Sequence, residues 1–340
     1  MNVPDIVSAT DVTMSRNNSG LARVAQRTTA VVSIMLLVAV SASYWIRADA
    51  VAALTIYPPW CWAGAGLLVA LLGYSRANRR WIAILGVAWL LFLLCFADSP
   101  ASLLRGRIPY ERPKNSLRVI SLNCASEIQA AAEVATWQPD VVLLQESPPR
   151  ESLMALAEEL FGPTGQVCWG PDASVVARGE VTQLALPAQF RENFVHARVR
   201  LDGRTVDVIS LRLYPCPVRF DLWSSRCWTV YRENRETRRR QMEKIAGYIQ
   251  SRNEETPLIV GGDFNAPPGD AIFRLLEPEL QDAFPIAGRG WGGTIINEVP
   301  AIRIDQIWFS PPFRALAAFA VKTVHSDHRM VVSDFVLVDP

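Results

Sequence analysis

Residues Leu258 to Pro268 read LIVGGDFNAPP, an apolar run that stops abruptly in two glycines, a carboxylate and an amide. An ordinary buried strand closes on turn residues. Here Asp263 and Asn265 stand two apart, so at strand periodicity their side chains point to one side. A carboxylate and an amide oxygen on the same side suit a hydrated cation or a phosphate. The rest of the chain supplies further residues of the same kind.

Apolar segments repeatedly end or begin in such a residue. RVISLN ends at Asn123, DVVLLQE at Glu146, RIDQIWF opens with Asp305 near its start, and SDHRMVV places Asp327 and His328 just before a strand. A single carboxylate at a strand end ordinarily faces solvent or caps a helix, but five such places point to one shared chemistry. Metal-assisted phosphoryl transfer needs this set. Mg²⁺ takes hard oxygen ligands and keeps several waters, so one or two carboxylates suffice. Glu146 is the best single ligand, and Asp263 with Asn265 is placed to hold and polarise an attacking water. The metal and His328 would stabilise charge on the phosphate oxygens. Asp327 either binds metal or raises the proton affinity of a nearby histidine.

The ordered set SLN, LQES, GGDFNAPP, RIDQIW and SDHRMVV resembles the endonuclease/exonuclease/phosphatase superfamily, over roughly residues 116–340. The apolar segments before it resemble a membrane-anchored bacterial branch of that superfamily. The resemblance implies an α/β (α+β) fold, a four-layer αββα sandwich, here preceded by three transmembrane helices. It implies a hydrolase, a phosphodiesterase-type enzyme using Mg²⁺, with Mn²⁺ as an alternate ion. Catalytic roles fall to Asn123, Asp263, Asn265, Asp305, Asp327 and His328, and metal binding to Glu146, Asp327 and Asn123. One departure matters. Where the family commonly has a histidine in a THL context, this chain reads VISLRLYPCP, with Arg212 at that place. Arginine can donate two hydrogen bonds to a phosphate but cannot release a proton near neutral pH. Arg212 is therefore a catalytic candidate by electrostatics, or else an arginine paired with a neighbouring carboxylate.

Apolar residues make up 50% of the 340 and charged residues only 20%, and the excess is local. Thr28–Ile46 is a run of nineteen uncharged residues, Ala50–Ser75 is a second, interrupted by Pro58 and Pro59, and Trp81–Ala97 is a third of seventeen. About 20 apolar residues span a bilayer as a helix, so the expectation is a multi-pass membrane protein. Arg16, Arg23 and Arg27 precede the first run, and Arg76, Arg79 and Arg80 lie between the second and third. The positive-inside rule puts the N-terminus in the cytoplasm and the large domain outside, against the contrary signal of Arg105, Arg107, Arg112 and Lys114. The expected divisions are a polar, poorly ordered cytoplasmic tail over 1–27, a membrane unit of three helices over 28–97, a linker over 98–115 and the phosphoesterase domain over 116–340. Strands arrive in adjacent pairs without an intervening helix, as in Val195–Leu213, which excludes a simple doubly wound sheet and favours two packed mixed sheets.

Beyond residue 97 there are 27 basic and 30 acidic residues, a net of −3. A duplex-binding domain usually shows a basic excess, so nucleic acid is disfavoured as a partner and a phosphate ester, in the preferred form lipid-linked, is favoured. A nuclease is the first alternative, and a non-catalytic binding module, motivated by Arg212, is the second. Cys216 and Cys227 would pair across a short loop outside the cytoplasm, or stay free. His196 reads as a structural polar residue, His325 has no assigned role, and RENRETRRRQ reads as a solvated face. The segment Tyr214–Tyr231, rich in aromatics that favour bilayer interfaces, is expected to be a loop that either meets the membrane or packs on its own domain.

Overall fold

The computed structural model describes residues 9–75, 78–97, 100–187, 193–252, 256–277 and 279–338. They form two compact units. One comprises the described chain up to Ile46 together with Tyr57–Ala97; the other comprises Arg47–Ile56 with the described chain beyond Ala97.

The first unit is helical: α1 (Ala9–Ile46), then, beyond the short α2 (Ala52–Thr55) of the second unit, α3 (Pro59–Leu72) and α4 (Arg79–Phe96). Two stretches are long and apolar enough to cross a membrane, Arg23–Ile46 with mean hydropathy 2.0 and Arg79–Phe96 with 1.8. The second apolar run departs from the expectation of one straight helix. Its two pieces, Asp49–Thr55 and Pro59–Leu72, are bent by 71°, with Pro58 and Pro59 at the break, where the missing N–H groups and fixed φ interrupt a helix. Helix α1 also begins at Ala9, inside the stretch expected to lack order; residues 1–8, Arg76 and Asp98 lie outside the described residues. Close approach of α1, α3 and α4 depends on small residues. A Cβ on Gly66 would fall 2.0 Å from the Trp89 ring, and the Trp89 indole donates to Ser33 Oγ, which donates to the Gly66 carbonyl. The few polar groups of this apolar bundle thus satisfy one another.

The second unit adds helices α5 (Pro100–Arg105), α6 (Ile128–Ala132), α7 (Arg150–Phe161), α8 (Ser225–Ser251) and α9 (Ala283–Ala287). Its strands in chain order are β1 (Leu117–Asn123), β2 (Val141–Gln145), β3 (Gly165–Cys168), β4 (Ala173–Arg178), β5 (Glu180–Gln183) and β6 (Phe194–Leu201). They continue as β7 (Arg204–Arg212), β8 (Leu258–Asp263), β9 (Gln281–Asp282), β10 (Asp305–Phe309), β11 (Phe313–Val321) and β12 (Met330–Leu337). Two six-stranded sheets result, in the orders β11-β12-β1-β2-β4-β3 and β5-β6-β7-β8-β10-β9.

Alternation along the strands sends one set of apolar side chains between the sheets and the other set outward. Val119, Leu143, Val175, Val208, Ile259 and Ile307 fill the space between the sheets. Met242, Ile245 and Ile249 of α8 cover the outer face of the second sheet, and Leu153 and Leu156 of α7 with Ala130 and Ala131 of α6 cover that of the first. The layers are therefore helix, sheet, sheet, helix. The glycines of the opening stretch have a steric cause. A Cβ on Gly261 would meet Leu143 Cδ1 of the facing sheet at 2.6 Å, and one on Gly262 would lie 1.9 Å from the Leu211 carbonyl oxygen of the adjacent strand.

Residues 100–116 lie along this unit. Ser102 Oγ donates to the Gly290 carbonyl, Arg105 Nε to the Gly288 carbonyl, and the Tyr110 hydroxyl to Asp334. Of the two readings of Cys216 and Cys227 the free one holds: both are free thiols, Cys227 being carried on α8. One expectation is corrected outside the site. The run RENRETRRRQ is helix with Arg232, Glu233 and Arg240 exposed but Arg235 and Arg238 buried, so only one side of it is solvated. The same helix absorbs the end of the expected aromatic loop: Tyr231 is buried and Trp228 donates its N–H to the Leu222 carbonyl, while Phe220 and Trp223 stay 71% and 88% exposed.

Candidate active site

Strand register assembles the site. In the second sheet Arg212 of β7 stands beside Asp263 of β8, and Asp263 stands opposite Asp305 of β10. Three charged residues from distant segments thus lie in one row across neighbouring strands. In the first sheet Asn123 and Gln145 are paired at the ends of the parallel strands β1 and β2, with Glu146 one residue beyond. Both sheets end their chemistry-bearing strands at the same edge of the sandwich, and the turn before β12 brings His328 to it.

Asn123 joins the two sheets. Its amide nitrogen donates to Glu146 Oε1 at 3.0 Å and to Asp263 Oδ2 at 3.1 Å, while its oxygen accepts from the Ala125 N–H. Asn265 serves the same carboxylate: its backbone N–H donates to Asp263 Oδ1 at 2.9 Å and its amide nitrogen to Asp263 Oδ2 at 2.9 Å and to the Leu213 carbonyl. Glu146 and Asn265 both hold positive φ, 45° and 49°. For non-glycine residues this region is sparsely populated and persists where the surroundings enforce it, as at functional sites.

On the other flank, His328 Nδ1 lies 2.9 Å and 3.1 Å from the two oxygens of Asp305. The Asp305 N–H donates to Thr294 Oγ1, the His328 N–H to Ser326 Oγ, and Ser326 Oγ donates to the Asn123 carbonyl. Burial opposes a charge on His328, but the Asp305 carboxylate, by charge and hydrogen bond, and the charges of Asp263 and Asp327 push its pKa up to about 10. Asp263 is 1% exposed. Burial and then the charge of Asp305 raise its carboxyl to about 7, against the pull of His328, the Asn265 N–H and the Asn123 amide. A buried carboxylate ionising near neutrality beside a cationic imidazole is a poised base next to a stabiliser of negative charge.

Arg212 joins both readings of the sequence. Its guanidinium pairs with Glu146 at 2.6 Å and with Asp172 at 3.3 Å, and its Nε, 4.0 Å from Asp263, has no hydrogen-bond partner among the described residues. It therefore points into the site rather than away from it. Asp172 had no motif of its own to mark it; it sits in GPD just ahead of β4. Thr294, likewise unmarked, orients Asp305 from a loop.

Asp263, Asp305 and His328 offer ligand atoms within 4.8 Å of one another, a spacing and a donor chemistry suited to a metal ion. Asn123, Glu146, Asp263, Asn265, Asp305, His328 and Arg212 are thus gathered at one edge of the sandwich. The Asp327 side chain is exposed; its carbonyl accepts the Asn297 N–H, and its charge reaches His328 without a direct hydrogen bond. His196 is buried against the Tyr248 hydroxyl, and exposed His325 pairs with Glu133; both stand apart from this cluster.

The Endonuclease/Exonuclease/phosphatase family model matches residues 120–328. Solved structures of similar fold include D. rerio TDP2 humanized by 14 mutations, at 19% identity and a TM-score of 0.50, covering 66% of this chain and 100% of that one. They also include an endonuclease/exonuclease/phosphatase family protein from Bacteroides thetaiotaomicron, at 14% identity and 0.50, covering 68% and 100%. A third, D. rerio TDP2 complexed with single strand DNA product, shares 18% identity at a TM-score of 0.49 and covers 66% and 100%. No curated protein matches the chain. One expectation is corrected. Nucleic acid was disfavoured on the net charge of −3, yet the family whose model matches takes its name from nucleases as well as phosphatases. Charge summed over a domain does not report the local groups of a site, here the guanidinium of Arg212 and the imidazole of His328 set among carboxylates.

Proposed function

The chain belongs to the endonuclease/exonuclease/phosphatase family and carries the catalytic phosphoesterase site of that family; from that premise we propose that it is a metal-dependent phosphodiesterase held at a membrane, with nucleic acid as the first substrate class. The observation that carries the reading is the convergence of Asn123, Glu146, Asp263, Asn265, Asp305 and His328 at one sandwich edge.

A divalent cation, Mg²⁺ by the hardness of the oxygen donors, would be held by the Glu146 carboxylate with waters completing its shell, and would supply polarisation of the phosphoryl oxygen. The chain's own residues do the rest. Asp263 Oδ2, oriented by the Asn123 and Asn265 amides, accepts a proton from the attacking water. The water oxygen bonds to phosphorus as the bond to the leaving oxygen breaks. His328, kept cationic by Asp305, and the guanidinium of Arg212 donate to the non-bridging oxygens, where charge grows. Arg212 thus supplies the electrostatic part of what a histidine supplies elsewhere in the family, which supports an enzyme over a non-catalytic module.

A second reading, a lipid-linked phosphodiester or pyrophosphate, is favoured by the two apolar helices and by the exposed Phe220 and Trp223. Assignment to a membrane-anchored bacterial branch, three crossings and an outward-facing domain belong to the same proposal. The test is turnover by the full chain in detergent, with Mg²⁺ or Mn²⁺, of single-stranded and duplex DNA, RNA, a lipid phosphodiester and an aryl phosphodiester. Cleavage of nucleic acid supports the first reading; cleavage of lipid alone supports the second. No turnover of any substrate with either metal would overturn the enzyme.

A further inference from the structure

Arg235 lies on α8, deep in the stretch whose charges suggest solvent, yet only 1% of it is exposed. All three of its nitrogens are occupied. Nε donates to Asp270 Oδ2 at 3.0 Å, Nη1 to the Ala48 carbonyl at 3.2 Å, and Nη2 to Thr55 Oγ1. Asp270 is also fully buried, and its other oxygen accepts the Ile272 N–H at 3.2 Å. It closes the loop that begins with Asp263 and Asn265, and its own N–H donates to the Pro267 carbonyl. One guanidinium therefore links the loop bearing the proposed base to the segment that joins the first two apolar helices. That segment is itself packed: Ala52, Ala53, Thr55 and Ile56 are buried, and Asp49 pairs with Arg239 at 2.5 Å.

We propose that residues 47–56 are a component of the phosphoesterase domain, that through them Arg235 is a positioning residue for the Asp263–Asp270 loop, and that segment and domain share one side of the membrane. The positioning part rests on the phosphoesterase reading, and the shared side on the proposed membrane placement; that residues 47–56 belong to the domain rests on neither. A buried guanidinium is tolerated only when its charge is paired and its remaining donors are satisfied. Asp270 supplies the charge, while Ala48 and Thr55 supply the acceptors, so a domain cut free of residues 47–56 would lose both acceptors and the cover over Arg235.

The topological consequence follows from chain order. Between the segment and the domain lie α3 and α4. Both ends can sit on one side only if the chain crosses an even number of times between them. Helix α4 is long enough to span, so α3 must cross with it, although its 14 residues reach only about 21 Å at 1.5 Å per residue. The bent second run is then a crossing and not a surface helix.

Two measurements on the full chain test this without turnover, so their failure is separate from failure of the enzymatic reading, and a third reads turnover. In intact spheroplasts, Ala50→Cys and Ser225→Cys should label with a membrane-impermeant maleimide from the same side, above the wild-type background, and Tyr74→Cys from the opposite side. Labelling of positions 50 and 225 from opposite sides would overturn the proposal. In nanodiscs, Thr55→Val removes one acceptor at nearly constant volume. Amides of residues 264–272 should then exchange about tenfold faster, the loss expected for a hydrogen bond to a charged group, while Thr55→Ser exchanges as wild type. With an aryl phosphodiester, kcat should fall in Thr55→Val while KM holds. Unchanged exchange over residues 264–272 in Thr55→Val would remove the positioning role.

Discussion

Gly262→Ala should be strongly destabilising. The new Cβ would lie 1.9 Å from the Leu211 carbonyl oxygen, 2.9 Å from its carbon and 3.1 Å from its nitrogen. All three are backbone atoms of β7, which pairs with β8 in register from Asp207 to Arg212, so nothing flexible can move aside. Overpacking that forces backbone shifts costs about 3 kcal/mol at the upper end of its ordinary range, which for a domain of this size lowers Tm by about 6–12 °C. Two neighbours calibrate the measurement. Gly261→Ala meets the end of the Leu143 side chain at 2.6 Å, which can rotate, and so should cost less. Gly269→Ala meets nothing within 4 Å and should be near neutral. Thermal unfolding of the three variants in one detergent would check the order. A Gly262→Ala protein as stable as Gly269→Ala would refute the close strand approach, and with it the register that sets Asp263 between Arg212 and Asp305.

Arg212→Met should lower kcat about 100-fold, the usual cost of removing one donor to a developing phosphate charge; Arg212→Lys should recover part, having the charge without the fork. Wild-type kcat in Arg212→Met would mark the guanidinium as a surface ion pair. The pH dependence of kcat should rise through about 7, because Asp263 works as a base only when deprotonated, and fall above about 10 as His328 loses its proton; a profile flat from 6 to 11 would contradict both assignments. Replacing Phe220 and Trp223 together by Ser should lower turnover of a vesicle-borne phosphodiester several-fold and leave a soluble aryl diester and Tm unchanged, since both side chains are exposed. Equal fractional loss on both substrates, or none on either, would detach this loop from membrane contact.

The site was legible in the sequence because each strand that carries it announces itself as an apolar run ending in a polar residue. Leu117–Asn123 is a strand over the whole expected range, and Asp263 closes β8 as a carboxylate closing an apolar run should. The edge strands Gly165–Cys168 and Glu180–Gln183 left no such mark, being short and mostly not buried. The first half of α8 was hidden for a different reason. Its buried face is arginine rather than leucine, and Arg235 is admitted to the interior only by Asp270 and by a segment some 180 residues away. No local pattern can show a partner at that separation. Asp172 and Thr294 share this difficulty, since each matters through the residue it touches and not through the stretch around it.

The central claim is that residues from both sheets form one metal-dependent base-and-stabiliser site around Asp263. The direct test is turnover of an aryl phosphodiester by the full chain, wild type and Asp263→Asn, with Mg²⁺ and with chelator. Turnover that chelation abolishes and Mg²⁺ restores is expected, lowered about 100-fold or more in an Asp263→Asn protein that still unfolds cooperatively. Turnover indifferent to chelator, or retained in Asp263→Asn, would contradict it.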